Sequence, residues 1–195
     1  MNIEPPDTND RGQVGIGTLI IFIALVLVSA VAAGVLIDTS GQLESRASDT
    51  GDDAQAQVSN QIDVVSATGI AADGTSGVET IELVVKKSPG SDPIDLTEAT
   101  IQYQSGSSVQ TLTFSSGSTS GTEFNTSKIG SSGPIKVLDD NGERIKISID
   151  ANAVESGDLS EGSSVDLKIV DQSGATTTYG INVPEVLTGR TFVSV

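Results

Sequence analysis

Few side chains in this sequence could do chemistry, and two stretches hold most of them. Asn125-Thr126-Ser127 is an N-x-Ser/Thr sequon with a permitted middle residue. Its Asn125 amide can accept an oligosaccharide. In a chain this rich in serine and threonine, such a triplet also arises by chance. Asp139-Asp140-Asn141-Gly142-Glu143 sets oxygen ligands beside a glycine turn, as calcium loops do, but without full EF-hand spacing. Asp139, Asp140 and Glu143 are thus weak candidate ligands for Ca2+, and a polar hairpin turn is the plainer reading. Neither cysteine nor histidine occurs. That removes disulfides, thiol chemistry, the usual general base and the commonest zinc ligand. Without histidine no Ser-His-Asp site can be built. The expectation is a protein that is not an enzyme and needs no cofactor, Ca2+ at the acidic turn aside.

The formal net charge is −16. Phosphates would be repelled, so a nucleic-acid partner is disfavoured, as is docking on anionic lipid. The acids are spread along the chain rather than gathered in a tail, which suits a solvated acidic surface adapted to high salt.

The element that must organise the rest runs from Ile16 to Ile37 without one charge. As a helix it would be ~33 Å long, enough to cross the hydrocarbon of a bilayer. It is apolar on every side, so it must be buried all round, in lipid or among copies of itself. Past Asp38 the polarity rises. Leu43, Ala47, Ala54, Val58 and Ile62 still fall at roughly helical spacing, so one helix is expected from about Ile16 to Asn60, amphipathic in its second half. Gly41 and Gly51 weaken it by up to ~1 kcal/mol each.

From Ile62 the period becomes alternating. Strands are expected at 62–70, 79–85, 99–103, 109–114, 135–138, 144–149, 164–170 and 176–183. A hairpin follows Val170, and a last strand lies in the tail after Val183. Ser115 to Thr122 reads as an exposed loop. Many short strands at this spacing argue a β-sandwich or barrel. The expected core is Tyr103, Phe114, Ile145, Ile147, Ile149, Leu167, Ile169 and Ile181. The fold class is therefore α+β: a long N-terminal hydrophobic α-helix followed by an all-β, immunoglobulin-like sandwich or barrel.

Arg11-Gly-Gln-Val-Gly-Ile-Gly-Thr-Leu-Ile20, followed by the Ala/Val/Leu run and Ala32-Ala-Gly-Val-Leu-Ile-Asp-Thr-Ser-Gly41, resembles the N-terminus of an archaellin. Archaellins are the subunits of the archaeal swimming filament. The resemblance is strong over about the first 65 residues. The acidic composition is similar to haloarchaeal members, and the tail from Val183 to Val195 also resembles archaellin C-termini. Bacterial type IV pilins carry an early glutamate in the mature helix. No acid lies between Gln13 and Ile37 here, which favours archaellin.

The resemblance implies a leader, 1–12, removed by a prepilin-peptidase-like enzyme between Gly12 and Gln13. It implies a filament-core helix, 13–61, and an outer β-domain, 62–195. Ile16, Gly17, Leu19, Ile20, Phe22, Ile23, Leu25, Leu27, Val31 and Leu36 would be the polymerisation surface. The implied partners are other archaellins, the peptidase and a membrane export platform. The rod would be inserted in the membrane transiently before the subunit becomes extracellular. N-glycosylation of Asn125 is made more expected. Alternatives are an adhesion pilin of the same export system, or a membrane-anchored binding protein or enzyme that never polymerises. A rival cut at Ala30-Val31-Ala32, in the small-x-small pattern of a secretory signal, would discard the rod.

Overall fold

A computed structural model of the chain describes residues 8–71, 77–117, 119–130, 135–187 and 190–195. The chain divides into two compact units, Met1–Asp52 and Asp53–Val195.

The first unit is helical. Helix α1 spans Thr8–Ser59 and is continuous across Gly41 and Gly51. It begins earlier than the sequence suggests, so the Gly12–Gln13 bond lies inside it. Its apolar residues find no cover in their own chain: Ile16, Leu19, Phe22, Leu25, Leu27, Val31 and Leu36 are all 59–69% exposed. The few polar groups in the rod are handled locally. The Thr18 hydroxyl donates to the Gly15 carbonyl at 2.9 Å, and Thr39 does the same to Val35 at 2.8 Å. Bonded back in this way, Thr18 brings no unmet donor into an apolar surrounding.

Among the described residues, the second unit holds, besides the last turns of α1, twelve strands and one short helix. These are β1 (Ile62–Ala71), β2 (Gly77–Lys87), β3 (Ile94–Asp95), β4 (Thr100–Ser105), β5 (Val109–Phe114), β6 (Glu123–Lys128), β7 (Val137–Leu138), β8 (Ile145–Asp150), α2 (Ala151–Glu155), β9 (Leu159–Ser160), β10 (Ser164–Val170), β11 (Thr176–Asn182) and β12 (Phe192–Ser194). Ten of the strands form one sheet in the order β11-β10-β4-β5-β6-β8-β2-β1-β12, with β9 added to β2; β3 and β7 pair separately. The sheet curls back on itself, so that Thr177 Oγ1 on β11 donates to the Ile62 carbonyl on β1 at 3.0 Å. All pairings are antiparallel except β5 with β6.

Alternation builds the core. Ile81, Leu83 and Val85 of β2 sit in register with Ile149, Ile147 and Ile145 of β8, and all six are fully buried. Tyr103, Leu167, Ile169 and Ile181 join them as expected. Each such aliphatic side chain contributes about 1.5–3 kcal/mol on burial. Phe114 is only half-buried at the end of β5, edge-on to Phe124 with ring centroids 6.1 Å apart.

Several elements depart from the sequence expectation. β6 and α2 were not expected. In β6 only Phe124 and Thr126 point inward, and a threonine is a weak marker of a buried face. In α2 the helix is too short to show a period, although Asp150 caps it by accepting from the Ala153 amide at 2.9 Å. The Ser115–Thr122 stretch is the crossover between parallel strands. It passes α2 so closely that a Cβ on Gly121 would meet the Ala153 carbonyl at 2.5 Å. The hairpin after Val170 is present. The Asp171 carboxylate accepts from the amides of Ser173 and Ala175, both at 2.9 Å, and Gly174 supplies the positive φ of +82°. The tail does supply a last strand, β12, paired with β1.

Candidate polymerisation surface and modification sites

The rod surface follows from composition. Leu, Ile, Val and Ala are tolerated in a helix, and with no charge between Gly12 and Asp38 every face of it is apolar. Within α1, Gly12–Ser59 is long and apolar enough to cross a membrane, and its most apolar window is not buried at all within the chain. Exposing that surface to water would cost on the order of tens of kcal/mol at ~25 cal/mol per Å². The amphipathic expectation for the second half finds no partner surface within the chain: Leu43 is exposed, and Val58 is 86% exposed.

Gly12 and Gln13 are exposed, on helical backbone. Nothing lies within 4 Å of where a Cβ would sit on Gly12, Gly15 or Gly17. The chain's own packing therefore does not demand these glycines. Their effect is to lower helix stability around the Gly12–Gln13 bond, by roughly 1 kcal/mol each relative to alanine. Glu4 and Asp7, in the expected leader, lie outside the described residues, as do the side chains of Asp10 and Arg11.

Asn125 does not lie on a loop. It is on β6, opposite Ser148 of β8. Strand alternation puts Asn125 and Ser127 on the outward face, while Thr126 is buried with its hydroxyl donating to the Ile135 carbonyl. The acceptor amide and the sequon hydroxyl thus share one outward face. The Asn125 Nδ2 donates to the Gly117 carbonyl at 2.5 Å, so the crossover loop leans on the acceptor.

Asp139, Asp140 and Glu143 lie on the turn between β7 and β8, closed by the Glu143 amide donating to the Asp140 carbonyl at 3.1 Å. Among the described residues no three carboxylates come together as metal ligands would. The turn already has cations beside it. Buried Lys87 donates from Nζ to the Asp139 carbonyl at 2.8 Å, and Lys128 and Arg144 line the same open hollow of about 750 Å³. The turn is polar and is not a hairpin, since β7 pairs with β3 while β8 pairs with β2 and β6.

One polar cluster was not legible in the sequence. Glu155, at the end of α2, accepts from the Ser107 hydroxyl at 2.5 Å, which ties the β4–β5 turn to the helix. Burial alone would raise its carboxyl; the hydroxyls of Ser105, Ser107, Tyr103 and Ser108 gathered round it outweigh that and hold it below the usual range. Burial, and then the neighbouring Glu155, push the Tyr103 phenol well above its ordinary value. Tyr103 Oη and Glu155 Oε1 sit close enough to interact but without a well-aligned hydrogen bond. Because the folded carboxyl is depressed, its contribution is present above the unfolded value, about 4.3, and is lost as pH falls through the folded one. Glu155→Ala is expected to cost about 1–2 kcal/mol, the range for a half-exposed bond to a charged group. Thermal melts from pH 7 downward check this: the wild type should lose stability in the carboxylate range, with a shallower slope in the variant. Identical slopes would contradict the assignment.

A charge-free rod with exposed apolar side chains, followed by a β-domain with its own core, defines a class of protein whose rod is covered by lipid or by other rods. The sequence model of the archaeal-type flagellin family matches residues 12–181. The chain belongs to that family, the subunits of the archaeal motility filament, and the adhesion-pilin alternative is not favoured. It is 47% identical to flagellin B1 of Halobacterium salinarum over 191 residues, 96% of each chain. It is 39% identical to flagellin A2 of Haloferax volcanii over 207 residues, 94% of each. Among solved structures it is similar to the archaeal flagellum of Methanospirillum hungatei, with a TM-score of 0.69 at 22% identity, covering 93% of this chain and 99% of that one. A crystal structure of an archaeal flagellin from Methanocaldococcus jannaschii gives a TM-score of 0.62 at 17% identity, covering 69% and 96%. These likenesses bear out the expected helix-plus-β fold.

Proposed function

We propose that this chain is made with a leader, held in the membrane by its rod, and cut between Gly12 and Gln13 by a prepilin-peptidase-like enzyme. An export platform then moves the rod from lipid into a growing extracellular filament. Rods pack into the core, and the β-domains form the wall. The observation that carries this reading is the rod from Ile16 to Ile37, uncharged and uncovered by its own chain. Pulling it from lipid is offset only by burial against other rods. The acidic surface suits concentrated salt, where the Debye length is about 3 Å at 1 M and like charges are screened. The role is structural, with no catalytic step assigned to the chain. Cell fractionation tests the reading. The chain should be recovered in sheared extracellular filaments; a monomer that stays in the membrane would point to an anchored protein that never polymerises.

Glycosylation of Asn125 is part of the proposal. The amide and Ser127 share the outward face, so a glycan there enters no core. Since Nδ2 is engaged by the Gly117 carbonyl, transfer is best served before the crossover loop settles. Intact-mass measurement of subunits from the native host should show an added oligosaccharide that Asn125→Gln removes. An unmodified mass would count against it.

A further inference from the structure

We propose that the outward side of the β1–β12 edge, centred on Phe192, is a contact between β-domains of neighbouring copies in the filament. The inference rests on the filament reading above. Phe192 is 67% exposed, alone among the aromatic residues of the β-domain in standing this far out. It lies directly across from Ile70 on β1, and both side chains are on the outward face, because Ala71 and Val193 beside them are buried. Further back along β1, the pairing with β2 skips a residue between Val64 and Ser66. That bulge turns Val65 outward, 43% exposed. Val58, on the last turn of α1, is 86% exposed. Val58, Val65 and Phe192 thus lead, in sequence, from the end of the rod proposed to pack between copies to β1 and its partner β12; the other exposed aliphatics, Val109, Ile129, Val137 and Val186, stand apart without an aromatic among them.

Charge points to the same occupant. Acidic domains crowded side by side repel through their acid-bearing turns. Thr68 to Ala71 and Thr191 to Val195 hold no charged side chain, in a chain of net charge −16, and Glu82, across from Thr68 on β2, is paired with Lys146 at 2.7 Å. Among the described residues β12 is also the last strand on its side of the sheet, with no strand paired to its outer edge. A buried aromatic at an uncharged centre is the usual anchor of a protein contact. The patch is small, but copies held together by their rods meet at high effective concentration, so a modest contact suffices.

The opposite outward face is the competing surface. There Gln102 of β4 stands between Lys168 of β10 and Thr111 of β5. Val109 is exposed on this face, but among the described residues it offers no exposed aromatic, and its Asp166 and Lys168 would need partners.

The chain has no cysteine, so single-cysteine variants report without background. Ser194→Cys sits on the outward face beside Phe192, and Gln102→Cys on the competing face. Intact filaments of each are treated with a bulky maleimide polymer. In a filament the β1–β12 edge meets a different surface of the neighbour, so Ser194→Cys should resist the polymer, whereas Gln102→Cys should label freely. Free labelling at 194, or equal labelling at both positions, would overturn the proposal. If Ser194→Cys does not assemble, Thr68→Cys, directly across from it, reads the same face. Absence of filaments from the unsubstituted chain would instead overturn the filament reading itself.

Discussion

Gly12→Val is expected to stop filament formation altogether. In the proposed cleavage the residue before the cut enters a peptidase site, and glycine offers no side chain to obstruct it. Valine adds a branched one at a position where the chain's own structure leaves open space, so folding is not disturbed. It also stiffens a backbone that must unwind for cleavage. The uncut chain would carry Glu4, Asp7, Asp10 and Arg11 into the end of the rod core. None of these has a partner among apolar rods, and an unpaired buried charge is costly. An immunoblot of the mutant should show the precursor accumulating in the membrane fraction, with mature subunit and filaments both absent. Normal processing of the variant would remove the peptidase step from the account.

Leu27→Asp separates packing from processing. Leu27 is mid-rod, far from the cut, and 62% exposed in the isolated chain, so the substitution breaks no contact within the subunit. In lipid, an aspartate at the centre of a spanning helix costs about 2.5–3.5 kcal/mol on insertion scales. In a core of packed rods the same charge recurs at every subunit without a counter-ion. The expected result is a correctly trimmed subunit that stays in the membrane and yields no filaments. Leu27→Met, nearly isosteric, should assemble as the wild type does. Normal filaments from Leu27→Asp would show that this face of the rod is not buried in the assembly.

The rod was readable because composition alone decides it: no charge over this length leaves lipid or copies as the only surroundings. The main strands were readable for a similar reason. Val109–Phe114 and Ser164–Val170 alternate strongly, and Ile145, Ile147 and Ile149 all face one way. What stayed hidden depended on partners distant in sequence. β6 is a strand because β5 and β8 flank it, not because Glu123–Lys128 alternates in hydrophobicity, so no strand was expected around Asn125. The cluster at Glu155 forms only when α2 meets the turn after Tyr103. The lysine that bonds the acidic turn, Lys87 to the Asp139 carbonyl, likewise comes from far away in sequence. The bulge at Val65 is a slip in register, which no periodicity in β1 announces. The start of α1 at Thr8 rather than near Ile16 shows helix extending through polar residues once the apolar turns that follow have nucleated it.

The most direct measurement is the N-terminal sequence of the subunit in purified, sheared filaments, with its intact mass. The account predicts a subunit that begins at Gln13 and retains the whole rod. A filament subunit that begins at Met1, or one from which the rod has been removed at Ala30-Val31-Ala32, would contradict it.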